Sequence, residues 1–144
     1  MALDDKTFPD DLKPEPAVQA DITGRLKNGM LSCAAAFESA RQTGASPARI
    51  GRTMDALRLR LTECQIGLFG YPGHTKGWAA AGVDILPVPA GLEDDLRASR
   101  AADGSISCLA IWQAAEKNGL SRMQAGWAAD KLGLRIEHCR LGAF

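Results

Sequence analysis

The 144-residue chain has no apolar run approaching the ~20 residues that a membrane-spanning helix needs, so no helical span is expected. It has no Cys-x-x-Cys pair, although it holds four cysteines, which removes the usual zinc-ribbon and thioredoxin signatures. It has no net charge: basic and acidic residues both number 17, and the molecule as a whole carries no field that draws it to nucleic acid or an anionic surface. The only histidines, His74 and His138, stand in unrelated contexts and make no catalytic pair. No set of nucleophile, base and orienting residue can be assembled from motifs, so an enzyme is not expected, and no cofactor either. The stretch "GYPGHTKGW" carries a lysine among glycines, but Thr75 and Gly77 flank Lys76 where a phosphate-binding loop needs glycine before and serine or threonine after. The opening "MALDDKTFPDDLKPEP" is acidic and lacks the basic-then-apolar order of a secretory signal. A cytoplasmic protein whose cysteines are thiols is the expectation.

What the chain does have is a repeat. Residues 32–69, "SCAAAFESARQTGASPARIGRTMDALRLRLTECQIGLF", align without a gap to residues 107–144, "SCLAIWQAAEKNGLSRMQAGWAADKLGLRIEHCRLGAF". Fourteen of these 38 positions are identical, among them Cys33/Cys108, Gly44/Gly119, Ser46/Ser121, Gly51/Gly126, Cys64/Cys139 and Phe69/Phe144. The expected organisation is an acidic leader (1–11), module copy 1 (12–69), a linker (70–84) and module copy 2 (85–144). Each copy is near the lower size limit for stability alone. The two are therefore expected to pack as one unit about a pseudo-twofold axis.

Within a module the pattern predicts helix, short strand, helix, glycine turn, helix, strand. "PAVQADITGRLKNG" reads as a helix with Pro16 near its start and Gly29 past its end, and "PAGLEDDLRASRAADG" is its counterpart. "MLSC" and "SISC" are short enough for brief strands. The stretches "AAAFESARQTG" and "LAIWQAAEKNG" close on Gly44 and Gly119, and Ser46 and Ser121 cap the helices 47–57 and 122–132. "LRLRLTEC" and "GLRIEHC" alternate apolar and polar residues as half-buried strands do. Gly51 and Gly126 stand inside helices, where glycine costs roughly 1 kcal/mol relative to alanine. Their recurrence predicts the close approach of another backbone. Asp55/Arg60 and Asp130/Arg135 are expected to pair across the helix-to-strand corner.

This order, and above all "AAEKNGLSRMQAGWAADKLG" in copy 2, resembles the helix-turn-helix of bacterial transcription regulators, including the molybdate-responsive type. The expected fold class is mainly α with small β strands, a tandem duplication of a winged-helix-like module. Residues after the last strand leave no room for a wing. The resemblance implies double-stranded DNA as partner, read by early residues of the second helix of the motif. The candidates it implies are Ser46, Arg49 and Arg52 in copy 1, and Arg122, Gln124 and Lys131 in copy 2. Trp127 stands at the position of Arg52. Charge distinguishes the copies, since 12–69 holds eight basic against five acidic residues and 85–144 holds seven of each.

The expected function is thus a small DNA-binding or transcription-associated regulator, with copy 1 making most contacts and copy 2 supplying packing or a dimer surface. The alternative is a protein-interaction module, or homodimer, on a helix-turn-helix scaffold that does not bind DNA. A weaker alternative is a cysteine-based metal or redox sensor. The cysteines Cys33, Cys64, Cys108 and Cys139 are expected to be buried structural thiols. A soft-metal site drawn from Cys64, Cys139 and His138 is the competing reading.

Overall fold

The structure is a computed structural model that describes residues 12–144; the acidic leader, 1–11, lies outside the described residues. The chain is mainly helical. Its elements are α1 (Pro16–Thr23), β1 (Met30–Ser32), α2 (Cys33–Thr43), α3 (Pro47–Ala56), β2 (Arg60–Thr62), α4 (Trp78–Ala81), α5 (Ala90–Ala98), β3 (Ser105–Ser107), α6 (Cys108–Lys117), α7 (Arg122–Lys131) and β4 (Arg135–Glu137). Apart from α4, each helix or strand of the first half has a counterpart close to 75 residues later. No described helix is long and apolar enough to cross a membrane.

The local sequence explains most of these elements. Ser32, Ser46, Ser107 and Ser121 each occupy an N-cap in extended backbone and accept the amide of the residue three positions on, satisfying one donor that a helix start leaves open. Gly44 and Gly119 adopt the left-handed region, φ 75° and 64°, and stop α2 and α6 before the turns to α3 and α7. The strands are shorter than the alternation of apolar residues suggests. Left-handed residues bracket both, Arg58 and Glu63 around β2 and Gly133 and His138 around β4, and an extended ladder cannot run through such a residue.

The first helix is also shorter than expected. α1 ends at Thr23, ahead of Gly24, instead of continuing to 28. Asn28 and Gly29 both take positive φ, and the amides and carbonyls of Lys27 and Met30 bond to one another in both directions. That is a two-residue hairpin turn, which an Asn-Gly pair favours over helix.

The chain divides into two compact units. Unit 1 holds the described residues through Cys64 together with Arg140–Phe144; unit 2 is Gln65–Cys139. The units do not follow the repeat boundaries, because residues 65–69 go with unit 2 and residues 140–144 with unit 1. Residues 70–84, read from sequence as a linker, are part of unit 2.

In unit 1, β1 pairs in parallel with β2, Leu31 opposite Leu61. Val18 and Ile22 of α1, Ala36 of α2, and Ile50 and Met54 of α3 form the buried interior with Leu31. In unit 2, β3 pairs in parallel with β4, Ile106 opposite Ile136. Its interior takes Leu92 and Leu96 of α5, Ile111 and Trp112 of α6, and the alanines 125, 128 and 129 of α7. Trp78 is buried as well, and its indole N–H donates to the Ile66 carbonyl at 2.9 Å. Arg135 does not turn back across the corner; it reaches Glu137 at 2.7 Å and Asp103 at 3.5 Å.

The two helix glycines meet backbone, as their recurrence implied. A Cβ on Gly51 would lie 1.8 Å from the Leu141 carbonyl oxygen, and one on Gly126 would lie 2.0 Å from that of Ile66. Leu141 and Ile66 are themselves buried and occupy equivalent positions of the repeat. Each contact lies within one unit, yet joins a helix of one repeat to the closing phrase of the other.

Gly51→Ala and Gly126→Ala are therefore expected to destabilise their units by about 2 kcal/mol or more, as overpacking against a fixed backbone does. Gly24→Ala, whose added methyl would meet its nearest neighbour at 3.6 Å, serves as control and is expected to be neutral or slightly stabilising. Denaturant midpoints measure all three, and an unchanged midpoint for Gly51→Ala would remove the close contact.

Candidate functional site

In unit 1, Gly44 ends α2 and the chain enters α3 after Ala45 and Ser46. Thr43 ties this turn: its hydroxyl donates to the Ser39 carbonyl at 2.7 Å and accepts the Ala45 amide at 3.3 Å. Ser46 spends its side-chain oxygen on the Arg49 amide, 3.3 Å away, and is exposed at the entrance of the helix. Arg49 and Arg52, three residues apart, share the outer face of α3, and both are exposed.

Arg49 has a partner that the sequence did not single out. Both carboxylate oxygens of Glu15 lie 3.1 Å from its Nε, and Nη2 adds a third N–H bond. The Glu15 backbone is anchored in turn, its amide donating to the Thr53 hydroxyl at 3.4 Å. Thr53 is buried, and its hydroxyl fixes the backbone of the residue that neutralises Arg49. The available signal was the acid in "PEPA", immediately before the first helix. The hydrogen bond and charge of Arg49 hold the Glu15 carboxyl below its ordinary range, with Arg52 acting in the same direction.

In unit 2, Gln124 and Trp127 are half-buried where Arg49 and Arg52 are exposed, while Ser121, Arg122 and Lys131 are exposed. Ser121 caps α7 by accepting the Gln124 amide at 3.0 Å. The Arg122 guanidinium lies 3.7 Å above the centroid of the Trp112 ring and donates to Gln65 at 2.6 Å. Gln124 is half-buried. Lys131 lies on the same helix face as Gln124 by spacing, with its ammonium 5.6 Å from the centre of the Trp127 ring. Trp127 is half-buried and tilted against Trp78, with ring centroids 5.7 Å apart. Arg122 stands on the opposite face of α7 from Gln124 and Lys131, so these three do not form one reading edge. α7 thus presents aromatic and already engaged groups where α3 presents arginines.

Cys33, Cys64 and Cys108 are buried and Cys139 is half-buried; none is in a disulfide. Cys64 belongs to unit 1, whereas Cys139 and His138 belong to unit 2. Among the described residues, no three of His, Cys, Asp and Glu converge as a metal site would require. Strand register instead aligns Cys33 with the end of β2, near Cys64, and Cys108 with the end of β4, near Cys139. Comparison with protein-family models, curated proteins and solved structures finds no match.

The Glu15–Arg49 pair has a signed pH dependence. A carboxyl whose folded pKa is depressed stabilises fully above its unfolded value, near 4.3 for glutamate, and loses that contribution as pH falls through the folded value. Arg49→Ala is expected to return the Glu15 carboxyl to the ordinary range and to make the acid limb of the stability profile shallower. A carboxyl chemical-shift titration measures this directly. An unmoved Glu15 midpoint in the variant would dismiss Arg49 as its partner.

Proposed function

We propose that the protein is a small DNA-binding or transcription-associated regulator of the cytoplasm, built as a tandem duplication of a winged-helix-like module without extended wings. Copy 1 makes the contacts and copy 2 serves packing or partner binding. One observation carries this reading: Arg49 and Arg52 project together from the outer face of a serine-capped helix that follows a glycine turn. In a helix-turn-helix, early residues of this helix meet base edges and phosphates, and arginine is suited to both. Glu15 then acts as an internal stand-in for phosphate, a carboxylate that DNA must displace from Arg49.

The second reading, a protein-interaction module on the same scaffold, draws on a separate observation. In copy 2, Trp127 stands at the position of Arg52 and packs beside Trp78, while Arg122, earlier in the same helix, lies over Trp112, with no surplus of positive charge. Tryptophan and arginine are the side chains that most often anchor protein contacts.

Fluorescence anisotropy with a labelled duplex of mixed sequence, at low and near-physiological salt, separates the two. The wild type is expected to bind and to weaken as salt rises, because cations on the protein release counterions from DNA. Arg49→Ala/Arg52→Ala is expected to lose about tenfold or more in affinity, in line with roughly 1–3 kcal/mol per contact. Glu15→Gln is expected to bind more tightly than wild type, and Arg122→Ala to bind about as wild type does. Absence of binding at low salt would end the DNA reading and leave the protein-interaction one.

A further inference from the structure

The two cysteines of each repeat stand at a special place in the chain. Cys64 is the last residue of unit 1 before the chain passes to unit 2, and Cys139 is the last residue of unit 2 before it returns. Each follows a residue in left-handed backbone, Glu63 at φ 50° and His138 at φ 65°. Each shares its unit with the other cysteine of the repeat, which opens the helix that follows the partner strand. The recurrence is therefore of a pair of thiols at a pair of crossing points.

In unit 2 the pairing can be followed atom by atom along the backbone. β3 and β4 run parallel with Ser107 opposite Glu137. Just beyond the ladder, the Cys108 amide donates to the His138 carbonyl at 3.4 Å. Cys108 Cα is one bond from that donor nitrogen, and Cys139 Cα is two bonds from that carbonyl carbon. With so few bonds on either side of that contact, the two Cα atoms are held close to the roughly 4.4–6.8 Å that a disulfide bridges. Cys139 is half-buried and Cys108 is buried. In unit 1 both members, Cys33 and Cys64, are buried.

We propose that Cys108 and Cys139 form a reversible thiol–disulfide site that responds to hydroperoxides. The Cys139 sulfur attacks the peroxide oxygen and its thiol proton passes to the departing oxygen; the O–O bond breaks, water (or, from an organic hydroperoxide, an alcohol) leaves, and Cys139 becomes a sulfenic acid. The Cys108 thiol then loses its proton and its sulfur attacks the Cys139 sulfur; the S–S bond forms, and the sulfenyl oxygen leaves as hydroxide and takes up that proton as water. In total, two thiols are oxidised to one disulfide and hydrogen peroxide is reduced to two waters. The bond ties the start of α6 to the point where the chain leaves unit 2 for Arg140–Phe144. This site is independent of the nucleic-acid reading above.

The test uses the full-length, reduced, folded protein and hydrogen peroxide. Trypsin places the four cysteines in four different peptides, 28–41, 61–76, 101–117 and 136–140, so each bond can be assigned. The expected result is a whole-protein mass lower by two hydrogens, restored by dithiothreitol, with peptide 101–117 joined to peptide 136–140. Cys33 and Cys64 are expected to stay reduced at that stage. Cys108→Ser is expected to leave Cys139 trapped as sulfenic acid or its dimedone adduct.

Two results would overturn the proposal. One is over-oxidation of Cys139 in the wild type while Cys108 remains a thiol; the other is a bond joining any other pair, within one chain or between chains. The wild-type map decides between these outcomes even where the variant does not fold.

Discussion

A helix that carries glycine at its centre gives up conformational stability for closeness, and two such contacts underlie this structure. The carbonyls of Leu141 and Ile66 lie where side chains on Gly51 and Gly126 would otherwise be. Any larger residue would push these segments away from α3 and α7. Leu141 and Ile66 would then lose the burial that holds the two closing phrases of the repeat in place. The Trp78 indole reinforces the second contact by donating to the same Ile66 carbonyl, so one backbone oxygen both abuts a helix and receives a buried N–H.

Much of the local fold was legible because its causes are local. The Ser46 and Ser121 caps, the glycine turns and the brief strands β1 and β3 follow from residues within a few positions of one another, whereas β2 and β4 are shorter than their alternation suggested. The helix glycines could be read as contact points because they recur at equivalent places. What they contact could not be read, since the partner lies in the other repeat and neither periodicity nor propensity carries that information. α1 was overestimated for a different reason: the Asn28–Gly29 turn outcompeted a helix pattern that its flanking residues would otherwise have supported. Trp78 was missed because its surroundings, rich in glycine and alanine, have the composition of a linker.

The electrostatics around the candidate residues were not legible in the sequence. Position in a helix-turn-helix pattern pointed to Ser46, Arg49, Arg52, Arg122, Gln124 and Lys131. It could not reveal that Glu15 sits on Arg49, that Trp112 lies under Arg122, or that Gln124 and Lys131 face away from Arg122. Pairings between residues 34 and 57 positions apart depend on tertiary folding. At equivalent positions of the two repeats, α3 carries arginines where α7 carries glutamine and tryptophan.

The division of the chain into units has a consequence for synthesis. Unit 2 is one continuous stretch, whereas unit 1 takes its last residues, Arg140–Phe144, from beyond it. In topological terms, unit 2 is an insertion within unit 1. Chains fold as they emerge, and contiguous units can complete on their own. Unit 1 emerges first but lacks Leu141 against Gly51 until everything in unit 2 has been translated. Order of appearance and order of completion are thus reversed, and the half that carries Arg49 and Arg52 is the last to be finished.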